Sequence, residues 1–337
     1  MDSWKIGITI GDPFGIGPEV IVKALAKEKV YQWCNPFVIG SKDPIVEAIK
    51  ICAKKDIQIA TYEYIEDIEI AYGTISVLDV ESEIKTCSKS MDRPTTPGIL
   101  VGESIKKAVK LCVSDEMDAM VTAPISKLHL AEAGYQFPGH TEMIAHYTDT
   151  QDVVMMMDAD TLRVSLVTIH CSLADVPKLL SKERILKTIV ITERALKTDY
   201  GISQPKIGVA ALNPHCGEAG MFGNEDGEIV APAVSEARKQ GIDVYGPLPS
   251  DSVFHFAKEG YYDAVVAMYH DQGLIPVKLL NFHSTVNVTI GLPIVRTSVD
   301  HGVGYDIFGK GIADSGSMER AIMLAAHFAE LRRRLNG

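Results

Sequence analysis

A chain of 337 residues, 46% hydrophobic and 23% charged, has the composition of a globular protein of one large or two moderate domains, long enough to bury a core without staples. Its formal net charge of −11 and the lack of any long Lys/Arg run exclude a general nucleic-acid binder, because phosphate contacts need a basic face. No apolar run approaches membrane-spanning length, Met1 to Lys5 does not open a signal peptide, and the six cysteines form no Cys-x-x-Cys pair, so a reduced cytoplasmic protein is expected.

In chain order, short β-branched runs alternate with helical patterns, the signature of an α/β fold. A strand is expected over Lys5 to Ile10, a helix over Pro18 to Lys27, a strand over Phe37 to Gly40 and a helix over Pro44 to Ala53. Further strands are expected over Thr74 to Leu78, Ala119 to Thr122, Val153 to Met157, Arg163 to Ile169, Lys206 to Ala211, Ala264 to Met268 and Val286 to Thr289. Helices are expected over Gly98 to Val113, Lys182 to Lys197, Glu225 to Gln240 and Ser317 to Arg334. Asp92 to Gly98 is the most loop-like stretch, and no internal repeat is visible.

Gly11-Asp12-Pro13-Phe14-Gly15-Ile16-Gly17-Pro18-Glu19 joins the first strand to a helix, with Pro18 at a first-turn position that tolerates proline. It is neither Gly-x-Gly-x-x-Gly nor a P-loop, so it reads either as a place where a ligand approaches the backbone or as a tight connection. Thr122-Ala123-Pro124-Ile125-Ser126-Lys127 and Pro138-Gly139-His140-Thr141-Glu142 gather polar side chains at turns. His140 and Thr141 could hold an anion at a helix start, or Thr141 could simply cap the helix.

His170, His215 and His270 each stand at or just past the end of an apolar, β-rich run. In an open α/β sheet ligands collect at the carboxyl ends of strands, and imidazole is the commonest metal ligand, so the three suggest one metal site. The alternative is that each merely satisfies a nearby backbone group. Cys171 and Cys216 adjoin two of them, but neighbours on an extended chain point apart. Acids and cations crowd the same region: Asp251, Asp271, Lys278, Asn287 and Arg296. A metal that polarises a hydroxyl or carbonyl, with Lys and Arg gripping an anionic tail, makes a coherent site for a small phosphorylated acid. Arg296 to Gly311 reads as a long ordered loop before the last helix.

On these motifs, taken in order over nearly the whole chain, the sequence resembles the 4-hydroxythreonine-4-phosphate dehydrogenase family of vitamin B6 biosynthesis, with its branch acting on D-threonate and D-erythronate 4-phosphates. The last motif also resembles the cofactor loop of isocitrate and isopropylmalate dehydrogenases, which explains the missing Rossmann fingerprint. The resemblance implies an isocitrate/isopropylmalate dehydrogenase-like fold, not Rossmann: two α/β/α domains with an active-site cleft between them. One would comprise residues 1–125 and 290–337 with the cofactor loop, the other residues 126–289 with the metal ligands and dimer contacts.

It further implies that His170, His215 and His270 bind one divalent ion (zinc, magnesium or cobalt) shared across a homodimer interface. His140, Thr141, Lys278, Asn287 and Arg296 would contact substrate, and Asp300, His301, Gly302, Asp306 and Gly309 would contact NAD or NADP. Asp251 and Asp271 are the candidate general bases. The reaction implied is oxidation of 4-hydroxy-L-threonine 4-phosphate to 2-amino-3-oxo-4-phosphooxybutanoate, which decarboxylates to 3-amino-2-oxopropyl phosphate. Phe14, Cys216, Val303-Gly304 and Phe308 depart from the family pattern, and the changes between Val303 and Phe308 leave the choice of NAD or NADP open. Other classes of reading are a three-histidine metallohydrolase and a noncatalytic metabolite-binding protein.

Overall fold

The computed structural model describes residues 4–81, 84 and 96–336. It contains two compact units, residues 1–151 with 292–330 and residues 152–291 with 331–337. Residues 126–151, expected with the central domain, pack within the first unit, where the Tyr135 hydroxyl donates to Glu103 and His129 meets Asp12. Of the loop expected over Asp92 to Gly98, residues 92–95 lie outside the described residues.

The first unit begins with β1 (Lys5–Thr9), α1 (Gly17–Leu25), α2 (Glu28–Trp33), β2 (Asn35–Gly40) and α3 (Lys42–Ile51). It continues with β3 (Gln58–Tyr62), β4 (Thr74–Asp79), α4 (Pro97–Val113), β5 (Ala119–Thr122), α5 (Lys127–Glu132) and α6 (His140–Tyr147). Its strands run in the order β3-β4-β2-β1-β5 and then β12 (Arg296–Val299), all parallel. Parallel strands are covered by helices on both faces, so they read as continuous apolar runs, and Ile6, Ile8, Val38, Ile39, Val77 and Val121 are fully buried. Thr96 caps α4 by accepting from the Ile99 amide, with Pro97 as its first residue.

The second unit holds β6 (Val154–Asp158), β7 (Arg163–Leu166), the short helix α7 (Val176–Leu179), α8 (Lys182–Thr198) and β8 (Ile207–Ala210). Then come a π turn over Asp226–Val230 that runs into α9 (Ala231–Lys239), β9 (Val244–Leu248), α10 (Ser250–Lys258), β10 (Ala264–Ala267), α11 (His270–Leu280) and β11 (Val286–Ile290). The strand order is β11-β6-β7-β10-β8-β9. β6 is antiparallel to both neighbours, whereas β7, β10, β8 and β9 are mutually parallel. Two apolar layers sandwich them, one around Ile185, Ile189, Val209 and Val266, the other around Val164, Val253, Val265 and Val277. The last helix, α12 (Gly316–Asn336), closes the chain.

The α/β class expected from alternating runs is what folds. Several elements were not expected, β3, α2, α5, α7 and α10 among them, and three more show why. Arg296 to Val299 is a buried strand, not the start of a loop, because its polar side chains bond within the fold: Thr297 Oγ1 donates to the Ala321 carbonyl and Arg296 to Thr122. α11 forms despite Gly273 and Pro276 in its interior, and β9 despite Gly246 and Pro247. Breakers such as these hide an element from pattern reading.

Candidate active site

The four parallel strands of the second unit deliver the acid and imidazole groups to one edge. His170 follows β7, His270 opens α11 directly after β10, His215 lies in the turn after β8, and Asp251 starts α10 after β9. Since the strand order is β7-β10-β8-β9, residues up to a hundred positions apart become neighbours along the carboxyl ends. The rings of His170 and His270 lie 6.0 Å apart, on a cavity of about 600 Å³ that Tyr269 and Asp271 also line. His270 Nδ1 is 2.6 Å from Asp271 Oδ1, a contact that orients the ring and leaves Nε2 as the nitrogen a ligand could use.

His215 is set differently. Residues 215–220 all have positive φ, from 41° to 93°, so His215 sits in a left-handed turn stabilised from behind. The fully buried Asp226 accepts from the Leu212 and Asn213 amides at 2.7 and 2.9 Å, and the Asn213 side chain donates to Glu225 at 2.8 Å. The adjoining Cys216 thiol donates to the Pro247 carbonyl at 3.5 Å, and burial, followed by Asp226 and Asp251, pushes its pKa up, against a thiolate ligand.

Gln272 was not singled out by sequence reasoning, although it directly follows His270 and Asp271. Its Oε1 accepts from the Met268 amide at 2.6 Å, and its Nε2 donates to the Ala211 carbonyl at 2.6 Å and to Ser250 Oγ at 2.9 Å. One amide thus ties together the strand ends that carry His270, His215 and Asp251. Among the described residues, no three His, Cys, Asp or Glu side chains are drawn together closely enough to hold an ion. The donor set nevertheless fits a divalent metal: three imidazoles on adjacent strand ends, two of them facing one cavity. Lys278, on α11, lies 5.1 Å over the Phe282 ring, and Asn287 Oδ1, on β11, is out of solvent without a hydrogen-bond partner.

The first unit holds the other predicted contacts. Arg296, 3% exposed, donates through Nη2 to Thr122 Oγ1 at 2.7 Å. Burial lowers its pKa to about 10, with Glu142 acting in the opposite direction, so the guanidinium is charged at neutral pH. His140 opens α6; its Nε2 is buried without a partner, and burial, reinforced by the Arg296 charge, holds its pKa well below the usual imidazole value. A buried cation beside a neutral imidazole is suited to an anion. Thr141 is not the helix cap: α6 starts at His140, with Gly139 before it and no side-chain cap bond.

The Gly11 to Glu19 turn receives the chain's own downstream loop. A Cβ on Gly15 would lie 2.7 Å from the Val303 carbonyl, and the neighbouring Ile16 amide donates to that same oxygen at 2.8 Å. Glu19, fully buried, accepts from the Gly309 and Gly311 amides at 2.8 and 3.1 Å, while Lys23 donates to the Gly311 and Ala313 carbonyls. Asp12 Oδ2 lies 2.8 Å from both the Tyr305 hydroxyl and His129 Nδ1. His129 and Tyr305 escaped sequence reasoning, since a lone histidine on a helix and a tyrosine in a loop carry no local signal. Of the predicted cofactor contacts, the Asp300 amide donates to Ser317 Oγ, His301 Nδ1 is 3.0 Å from the Gly302 carbonyl, and Asp306 is exposed.

Comparison with known proteins gives a consistent set. The family profile described as pyridoxal phosphate biosynthetic protein PdxA matches residues 32–325. A 4-hydroxythreonine-4-phosphate dehydrogenase of Geobacter metallireducens is 47% identical over 328 residues, covering 97% of this chain and 96% of that one. A putative D-threonate 4-phosphate dehydrogenase of Clostridium botulinum is 42% identical over 324 residues, 96% of each chain. The crystal structure of a 4-hydroxythreonine-4-phosphate dehydrogenase from Klebsiella pneumoniae superposes with a TM-score of 0.84 at 39% identity, over 97% of this chain and 100% of that one.

Proposed function

Because the chain belongs to the PdxA family of pyridoxal phosphate biosynthetic proteins, we propose that it is the NAD(P)-linked, metal-dependent dehydrogenase of 4-hydroxy-L-threonine 4-phosphate. The substrate's C3 carbon gives up a hydride and its hydroxyl a proton, leaving 2-amino-3-oxo-4-phosphooxybutanoate. As a β-keto acid this product loses carbon dioxide to give 3-amino-2-oxopropyl phosphate. The observation that carries the reading is the convergence of His170, His270, His215 and Asp251 on the carboxyl ends of four neighbouring parallel strands. That edge is where an α/β sheet works on its ligands.

His170, His215 and His270 would hold the divalent ion, and imidazole donors suit zinc or cobalt better than magnesium. When bound, the ion supplies Lewis acidity to the substrate oxygen and the nicotinamide supplies a hydride acceptor. The remaining work falls to side chains of this chain. Arg296 and Lys278 grip the anionic groups, and His140, kept neutral, offers a hydrogen bond without adding charge. Thr141 and Asn287 complete the contacts to substrate, and Asp251 or Asp271, both exposed carboxylates, receives the hydroxyl proton. Asp300, His301, Gly302, Asp306 and Gly309 form the nucleotide loop.

A homodimer with the metal site at its interface belongs to the same proposal. In its support, α11, which carries His270 and Lys278, and the turn after it expose Ile275, Leu279, Leu280 and Phe282, an apolar set suited to a second copy. Among the described residues no helix is long and apolar enough to cross a membrane, and Cys34, Cys52, Cys112, Cys171 and Cys216 are free thiols, in keeping with the proposed cytoplasmic setting.

The Clostridium relative, by its name, favours a second reading, oxidation of D-threonate 4-phosphate, and D-erythronate 4-phosphate belongs to the same alternative. A panel of 4-phosphorylated hydroxy acids, assayed for NAD and NADP reduction with and without divalent metal, separates the two. Fastest turnover of hydroxythreonine phosphate is expected. Turnover of only the threonate or erythronate phosphate would move the assignment to the second branch, and no reduction with any member would overturn both. None of the relatives named above is a hydrolase or a metabolite sensor.

A further inference from the structure

The glycine-rich turn after β1 reads, in sequence, either as a cradle for a ligand or as a tight connection, and its buried groups are spent on the chain's own loop. We propose that Glu19 and Asp12 are positioning residues of the nucleotide loop: they hold residues 303–311 in the receiving shape before any nucleotide arrives. The inference rests on the reading of that loop as the NAD(P) contact.

Three observations carry it. Both carboxylates are 0% exposed, and a buried charge persists only where donors satisfy it. Glu19 is satisfied by the loop itself, through the Gly309 and Gly311 amides, one on each oxygen. Asp12 accepts the Tyr305 hydroxyl on one oxygen and the Phe14 amide on the other. The loop is therefore fixed near its front by Asp12, and by the Ile16 amide on the Val303 carbonyl, and at its back by Glu19 and Lys23. Charge-assisted hydrogen bonds of this kind are about twice as strong as neutral ones. A loop held so does not spend binding energy on ordering when the nucleotide docks. Neither carboxylate needs to touch the nucleotide.

The test is amide hydrogen exchange on the full-length protein without nucleotide, together with NAD and NADP titration. Glu19→Gln keeps the volume of the side chain but turns an amide nitrogen toward a backbone N–H. Exchange in peptides covering residues 302–312 should accelerate about tenfold or more, while β1, β2 and β4 keep their protection. The Kd for nucleotide should rise by a similar factor, with kcat at saturating nucleotide held within about twofold; a tenfold change is 1.4 kcal/mol. Tyr305→Phe, at a half-exposed position that tolerates the change, removes only one donor and should loosen the loop less. It keeps the test alive should Glu19→Gln not fold. Unchanged loop exchange in both variants, or a loosened loop with unaltered nucleotide Kd, would overturn the proposal. Wild-type protein that binds neither NAD nor NADP would instead overturn the reading of the loop on which it rests.

Discussion

The Tyr305 hydroxyl donates to the Asp12 carboxylate at 2.8 Å, joining positions 293 residues apart in the chain. The same oxygen lies 2.8 Å from His129 Nδ1, so one buried acid links the first strand's exit, α5 and the late glycine-rich loop. Removing that acceptor leaves several donors facing a gap, a loss of about 1–3 kcal/mol for an unsatisfied buried group. Asp12→Ala should therefore lower unfolding free energy by that amount in urea titrations. A loss below about 0.5 kcal/mol would show that surface substitution is the better comparison and that the link anchors nothing.

Gln272 makes an equally specific demand. Its side chain serves the Met268 amide, the Ala211 carbonyl and Ser250 at once, and no apolar residue of the same size can do so. Partners that orient metal ligands typically change affinity about 10–100-fold when lost. Gln272→Leu should weaken divalent-metal binding within that range in a chelator competition, while the protein stays folded by circular dichroism. Wild-type metal affinity in a folded variant would remove Gln272 from the site.

Much of this architecture was legible before the fold was known, for identifiable reasons. The strands ending near His170, His215 and His270 are buried and parallel, so each reads as a run of apolar residues closed by a polar one. What pattern reading could not supply was their order: adjacency of β7, β10 and β8 is a property of the sheet, not of any segment. Arg296 was legible as a candidate anion contact but not as the first residue of a buried strand, because its partner Thr122 is 174 positions away. The clamps from Glu19 to Gly309 and from Asp12 to Tyr305 are likewise invisible locally. The turn that read either as a ligand approach or as a tight connection receives a loop from the far end of the chain.

The neutral imidazole of His140 predicts a particular response to acid. Burial, reinforced by the Arg296 charge, lowers its folded-state pKa well below the unfolded value. As pH falls below about 6.5 the unfolded chain takes up a proton that the folded chain refuses, so stability is lost from there down to the folded pKa. The slope from this one group is at most about 1.4 kcal/mol per pH unit. His140→Gln should flatten the fall in unfolding free energy between pH 7 and pH 5 relative to wild type. Parallel profiles would mean that His140 titrates normally.

The left-handed turn that carries His215 sets the last expectation. His215, Cys216, Glu218 and Ala219 all hold positive φ without being glycine, a conformation that costs about 1–2 kcal/mol per residue. Such strain persists only where the surroundings over-determine it, and here Asp226 and the Asn213 to Glu225 bond brace the turn. Gly217, at φ 79°, is the point where the turn closes on itself: a Cβ there would meet the Gly223 carbonyl at 2.5 Å, backbone that cannot swing aside. Gly217→Ala should cost about 2–3 kcal/mol of stability, as expected for strain at a special φ/ψ. It should also displace His215, so metal affinity falls along with the denaturation midpoint. A variant that loses stability yet binds metal as tightly as wild type would show that the turn is structural and that His215 is not among the ligands.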